Sequence, residues 1–182
     1  MTYFSWPWSG KRLLTHSTRA AEAGRLEPLE DRVLLSTYLV TSAADDGSTG
    51  TLRWAIGQVN GGPGGDLIDF QIGVFASAQT ITLSSSLGPL PAVSKAATID
   101  GLSQGAGQNG KLTVEINGSA VTGDGLTVTA GGVTLDGLAI ANFSGNGVVL
   151  NNPAGSAGDT VIGDFVGTDY TGTAAAGNGG DG

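Results

Sequence analysis

The stretch GLTVTAGGVTLDGLAIANFSGNGVVLNN, Gly125–Asn152, alternates apolar and polar residues in short runs, each broken by Gly, Asn or Asp. Period-two alternation with such punctuation reads as strands and turns. The stretch is also periodic. Gly125-Leu126-Thr127-Val128 returns as Gly147-Val148-Val149-Leu150, twenty-two positions on, and the pair Leu135/Leu138 returns as Ile162/Phe165, twenty-seven positions on. The extra residues fall in NNPAGSAGD, where the earlier unit has the tight TAGG, so insertions are confined to loops. A repeat of roughly 20–25 residues with two or three strands per unit predicts an all-β right-handed parallel β-helix, a solenoid of roughly five rungs. A β-sandwich also gives short strands at regular spacing, but it does not need equivalent strands to return at one rung length.

Outward from this stretch the same pattern holds. YLVTS, QTITLSS, AATIDGL, KLTVEING and DTVIGDF read as further strands, so the predicted solenoid occupies 38–182 with Tyr38 as its first structural residue. One segment differs: in STGTLRWAIGQVNGG, Leu52, Ile56 and Val59 recur at helical spacing between N-cap candidates Ser48/Thr49 and the stop Gly61-Gly62. An open parallel rung is an unpaired edge, so a helix over about 49–60 is expected to cap the first rung. At the other end GNGGDG stops where the next rung's apolar pair is due, which suggests the front portion of a longer architecture. Residues 1–37 carry neither pattern and are expected to be a disordered leader without the continuous apolar core of an ordinary signal peptide.

Composition agrees with this and excludes other classes. Glycine, 32 of 182 residues, is abundant, while aromatics at 6% and charged residues at 13% are scarce, which argues against a helical globule. The glycines lack the three-residue period of collagen. Residues 38–182 hold three basic side chains, Arg53, Lys95 and Lys111, against twelve acidic ones. Such a surface cannot neutralise a run of phosphates, so nucleic acid is not expected as a partner. No cysteine is present to form disulfides or bind metal, and no apolar run is long enough to span a membrane.

YLVTSAADDGSTGTLRWAIGQVNGGPGGDLIDFQIG and TITLSSSLGPLPAVSKAATIDG, together Tyr38 to Asp100, resemble the N-terminal region of secreted bacterial β-helix proteins of pectin-lyase-like fold. VGTDYTGTAAAGNGGDG resembles repeats of the same group. RLEPLEDRVLLS is similar to the short LEPR-XLL-type motif that stands at the N-terminus of large exported planctomycete proteins. Leu26, Glu27, Pro28, Arg32, Leu34, Leu35 and Ser36 match it, while Leu29, Glu30 and Asp31 make the form longer than the bare motif. The resemblance implies a sorting address over Leu26–Ser36 and a secreted or cell-envelope location.

The same resemblance raises polysaccharide chemistry, which needs particular residues. A lyase needs a base, often Arg or Lys, usually aided by calcium; Lys95 and Lys111 are the only basic candidates after Arg53, each in a loop-like context. A glycosidase needs paired carboxylates. Asp100 and Asp136 both stand in Asp-Gly-Leu at strand ends, where the expected role is a turn carboxylate bonding nearby amides; Asp124 and Asp181, between glycines, read alike. GNGGDG lacks the repeated pattern of calcium-binding turns, so calcium is no more than a possible ligand and no cofactor is expected. His16, the lone histidine, lies in the leader, which removes histidine triads and zinc sites. Asn117-Gly-Ser and Asn142-Phe-Ser match glycosylation acceptors formally, but asparagines at such turns bond backbone.

The expected function is therefore a non-catalytic extracellular or cell-surface module, structural or adhesion-like. Its expected partner is an extracellular polysaccharide or protein, and it is expected to be a monomer or an open-ended fragment prone to association. The alternative is the front of a polysaccharide lyase or glycoside hydrolase whose catalytic rungs lie beyond Gly182.

Overall fold

The computed structural model describes Met1, Tyr3, residues 34–105 and residues 110–181. The chain divides into two units, Met1–Arg32 and Val33–Gly182, and every element described lies in the second. Leu26, Glu27, Pro28, Leu29, Glu30, Asp31, Arg32 and His16 lie outside the described residues, as does the expectation of a disordered leader.

The fold is built of short strands in parallel sheets with one α-helix. The strands are β1 (Thr37–Val40), β2 (Asp66–Phe70), β3 (Gln79–Thr82), β4 (Ala97–Asp100), β5 (Val114–Asn117), β6 (Leu126–Val128), β7 (Thr134–Asp136), β8 (Leu138–Ala141), β9 (Val148–Leu150), β10 (Thr160–Ile162) and β11 (Phe165–Val166). The helix α1 spans Leu52–Gly61, and a single 3-10 turn spans Gly101–Gln104. One sheet has the order β1-β2-β4-β7-β10, a second β11-β8-β5-β3, and a third β6-β9. Every ladder within them is parallel. From β4 to β9 the chain visits the first, second and third sheets in turn, twice, so neighbours within a sheet are separated in sequence by strands of the other two.

Inward-facing residues stack in register. Ile68 pairs with Ile99 and Ile99 with Leu135 in the first sheet, and Ile81 pairs with Ile116 and Ile116 with Ile140 in the second. All six are essentially inaccessible and belong to one apolar cluster that also takes in Leu52, Ala55, Ile56 and Val59 of α1. Burying one such side chain contributes about 1.5–3 kcal/mol, so a column of medium-sized aliphatics sustains the core without many aromatics.

The helix begins later than 49–60. Its N-cap is Thr51, extended at φ −92°, ψ 157°, whose hydroxyl accepts the Trp54 N–H at 3.3 Å. Gly47 and Gly50 have φ of +77° and +86°, and a left-handed residue at 50 stops a right-handed helix from starting before it. An ion pair ties this corner down. Arg53 grips Asp45 through Nε at 2.7 Å and Nη2 at 2.8 Å, and donates to the carbonyls of Gly88 and Pro89. The Asp45 carboxylate also accepts the Ser84 N–H.

Three further expectations are corrected. The Leu126–Val128 strand does pair twenty-two positions on, with Val148–Leu150, but the β7–β10 ladder sets Leu135 opposite Val161 and Asp136 opposite Ile162, an offset of 26 rather than 27. The corner glycines Gly137 and Gly163, both at φ +69°, are equivalent and fix that offset. A one-residue slip exchanges the two faces of a strand, so Ile162 stands outward beside Asp136. Offsets elsewhere in the first sheet reach 36, between Thr98 and Thr134, because the 3-10 turn and the segment after it are inserted. Finally, the ordered body starts before Tyr38: Ser36 donates its N–H to Asp66 Oδ1 at 2.8 Å and accepts the Leu67 N–H at 2.8 Å, and β1 begins at Thr37. Leu34 and Leu35 are exposed, at 79% and 69%.

Candidate functional site

The first sheet presents two outward columns. One runs Thr37, Leu67, Thr98, Thr134, Thr160; the other runs Leu39, Asp69, Asp100, Asp136, Ile162. Parallel neighbours stand about 4.8 Å apart, so three carboxylates are stacked at one-strand intervals with an apolar residue at each end. Like charges so placed repel one another.

Asp100 Oδ1 accepts the N–H of Leu102 at 2.9 Å and of Ser103 at 3.2 Å, capping the 3-10 turn. Asp69 Oδ1 is buried without a hydrogen-bond partner, and its carboxyl is pushed above the ordinary range, first by burial and then by the charge of Asp100. Beyond the ladder, in the turn before β11, Asp164 is pushed from 3.8 to about 6. Burial is the main cause, and Asp136 adds to it; the Leu138 N–H, donating to Oδ1 at 2.6 Å, works the other way. Asp164 Oδ2 is buried and unpaired.

Beside Asp69 lies a cavity of about 160 Å³ lined by Leu39, Asp69, Phe70, Gln71, Phe75 and Ser103. Phe75 is 70% exposed on its rim. The wall behind it is rigid: Gln104, fully buried, accepts the Ile72 N–H at 2.6 Å and donates to the carbonyls of Ile72 and Val74, and Ser103 Oγ accepts the Phe70 N–H at 2.7 Å. The surface thus offers carboxylates, threonine hydroxyls and an exposed aromatic ring. A carboxyl of raised pKa next to a second carboxyl is also the arrangement that acid-assisted glycoside cleavage uses, with about 5 Å between the pair in retaining enzymes.

The structure brings Asp100 and Asp136 of the sequence candidates together and leaves the others apart. Lys95 and Lys111 are both exposed, Lys95 just before β4 and Lys111 beyond the stretch 106–109. Asp124 Oδ1 accepts the Asn146 N–H at 2.6 Å, and Asp181 donates its N–H to Asn146 Oδ1. Asn117 bonds Glu115 and accepts the Ser119 N–H; Asn142 takes φ +62°. Among the described residues no three His, Cys, Asp or Glu side chains gather as metal ligands, and no helix is long and apolar enough to cross a membrane. Asp69 and Asp164 were not singled out by sequence. The signal for Asp69 is the recurrence of Ile68-Asp69, Ile99-Asp100 and Leu135-Asp136. No protein-family model matches the chain, and no curated protein matches it.

Proposed function

We propose that the body of this chain is a right-handed parallel β-helix of about five rungs, capped by α1, that serves as a non-catalytic structural or adhesion-like module of a secreted or cell-envelope protein. The observation that carries this reading is the register: first-, second- and third-sheet strands recur in order along the chain, and each pairs in parallel with its counterpart one circuit later. Right-handedness follows from the near-universal hand of parallel crossovers. The partner is an extracellular polysaccharide or protein, met by the outward Thr and Asp columns. Residues 1–37, with the LEPR-XLL-like Leu26–Ser36, act as the address. A reporter fused behind residues 1–37 is expected to leave the cytoplasm of an exporting bacterial host; retention there sinks the address.

A second reading has one observation in its favour. The Asp69–Asp100–Asp136 ladder with its raised carboxyl suits a glycoside hydrolase, or the front of a larger carbohydrate-active enzyme. Incubation with acidic and neutral polysaccharides separates the two readings. The structural reading expects no new ends; reducing ends that vanish in Asp100→Asn and Asp136→Asn establish hydrolysis, and unsaturated ends establish a lyase.

A further inference from the structure

The cavity beside β2 sets a carboxyl among hydrocarbon. Of the six residues that line it, Leu39, Phe70 and Phe75 are apolar, and Asp69 stands with them. Asp69 Oδ1 is enclosed without a hydrogen-bond partner, and Asp100 pairs with Asp69 at the next level of the sheet. Burial and the Asp100 charge both push the Asp69 carboxyl up. Among the described residues no basic side chain answers it: the ion pair there joins Arg53 to Asp45, and the cavity lining holds neither Lys nor Arg. Ser103 offers no substitute, since its hydroxyl donates to the Asp100 carbonyl and accepts the Phe70 N–H.

The aromatic rim is held where it stands. Val74 and Phe75 are 73% and 70% exposed, so burial does not fix them. Gln104 does. Its Nε2 donates to the Val74 carbonyl at 3.1 Å, and its own carbonyl accepts the Ala76 N–H at 2.7 Å. Ala76 takes φ +56°, a conformation uncommon outside glycine. The residues on both sides of Phe75 are thus pinned to one buried side chain, which presents an exposed ring at the mouth of a cavity that contains a carboxyl.

The lining selects its ligand by elimination. An anion is repelled by Asp69 and Asp100. A neutral apolar group leaves the carboxylate stripped of water and unpaired. A hard metal ion takes about six oxygens, and half of this lining is hydrocarbon. An ammonium on a hydrocarbon stem meets every part, with its charge at Asp69, its stem along the apolar wall and the Phe75 ring beside the cation. With Oδ1 enclosed, the carboxyl does not present both oxygens to a guanidinium fork, so a compact ammonium suits it better. The volume, 160 Å³, lies below the roughly 300–1,000 Å³ of pockets that take whole small molecules, and fits a single side chain. We propose that this cavity receives a lysine side chain of a protein partner, its ammonium against Asp69 and its stem along Leu39 and Phe75. This rests on the partner-binding reading above and narrows the partner to a protein with an exposed lysine.

The test is an amide NMR titration of the whole chain with Nα-acetyl-lysine methylamide, at about 0.15 M salt to screen diffuse charge attraction. The matching norleucine compound supplies the stem without the charge, and the arginine compound and glucosamine supply other cations. Saturable shifts are expected at the amides of Leu39, Gln71 and Ser103, with the norleucine compound binding about tenfold or more weakly. Asp69→Asn is expected to weaken the lysine probe by a similar factor, and Phe75→Ala by about two- to fivefold. Phe75 is exposed and Asp69→Asn removes a disfavoured charge, so both variants are expected to fold, which thermal melts check. No saturable shift, equal binding of the norleucine compound, or full binding by Asp69→Asn overturns the proposal. Tighter binding of the arginine compound or of glucosamine overturns the assignment to lysine. Failure here leaves the polysaccharide incubation unaffected, and new sugar ends there leave the titration unaffected, so the two readings fail separately.

Discussion

Replacing Asp164 with Asn is expected to stabilise the protein at neutral pH and to remove part of its pH dependence. The carboxyl titrates near 6 in the folded chain against an ordinary 3.8. Between those values the folded state binds a proton that the unfolded state does not, so stability rises as pH falls from about 6 towards about 4. Above about 6 the charged, half-buried carboxylate costs stability. Two units correspond to about 3 kcal/mol; partial exposure screens this, and about 1–2 kcal/mol is the expected net. Asn keeps an oxygen to accept the Leu138 N–H, now at 2.6 Å, and carries no charge where Oδ2 is buried. Its amide N–H lacks an acceptor there, which holds the gain to the lower part of that range. Urea denaturation from pH 4 to 8 is the assay. The variant should be more stable than wild type at pH 7.5, with the two converging near pH 4. The exposed Asp46 and the partly exposed Asp169 do not mimic this, because hydroxyl hydrogen bonds from Ser48 and Thr171 lower their pKa and their contribution is lost only as pH falls below 4. A variant less stable than wild type at pH 7.5, or parallel pH profiles, refutes the reasoning.

Arg53→Ala removes the partner of Asp45, whose side chain is 1% exposed, and should cost about 3–5 kcal/mol in denaturant unfolding; adding Asp45→Ala should recover part of it. Gly118→Ala drives a methyl into the buried Phe143 ring and should cost about 1–3 kcal/mol, with Phe143→Leu in the same chain restoring some of it by thermal melts. Asp69→Asn should raise neutral-pH stability in the same direction as Asp164→Asn, because burial and Asp100 both disfavour its charge, and differential scanning calorimetry at pH 5 and 7.5 reads it.

The strand content was legible because alternating Ile, Val, Leu and Thr can bury one face in only one way. β2 escaped the reading by alternation: its first residue, Asp66, is polar yet faces inward, which no composition rule anticipates. The β7–β10 offset shows a different limit. Matching apolar identities pairs Leu135 with Ile162, but the chain is held by its corners, and aligning Gly137 with Gly163 gives the observed 26. Where a strand is three residues long, the turn governs register more than side-chain burial does. Val161 and Ile162, exposed at 43% and 54%, show how little burial is at stake there.

The carboxylate ladder was half legible for the same reason. Asp100 and Asp136 are visible in sequence as Asp-Gly turn residues, and Asp100 does cap a turn. Asp69, followed by Phe70 rather than glycine, carries no turn signal, and only parallel in-register pairing puts it beside Asp100. Once stacked, a residue's chemistry depends on the column as much as on its local motif. Asp100 has two backbone amides to hold its charge, while Asp69, one strand away, has a buried oxygen with none. The same side chain is thus a turn cap at one level and a perturbed carboxyl at the next. That difference arises from pairing across 31 residues of sequence, so a motif read one copy at a time cannot contain it.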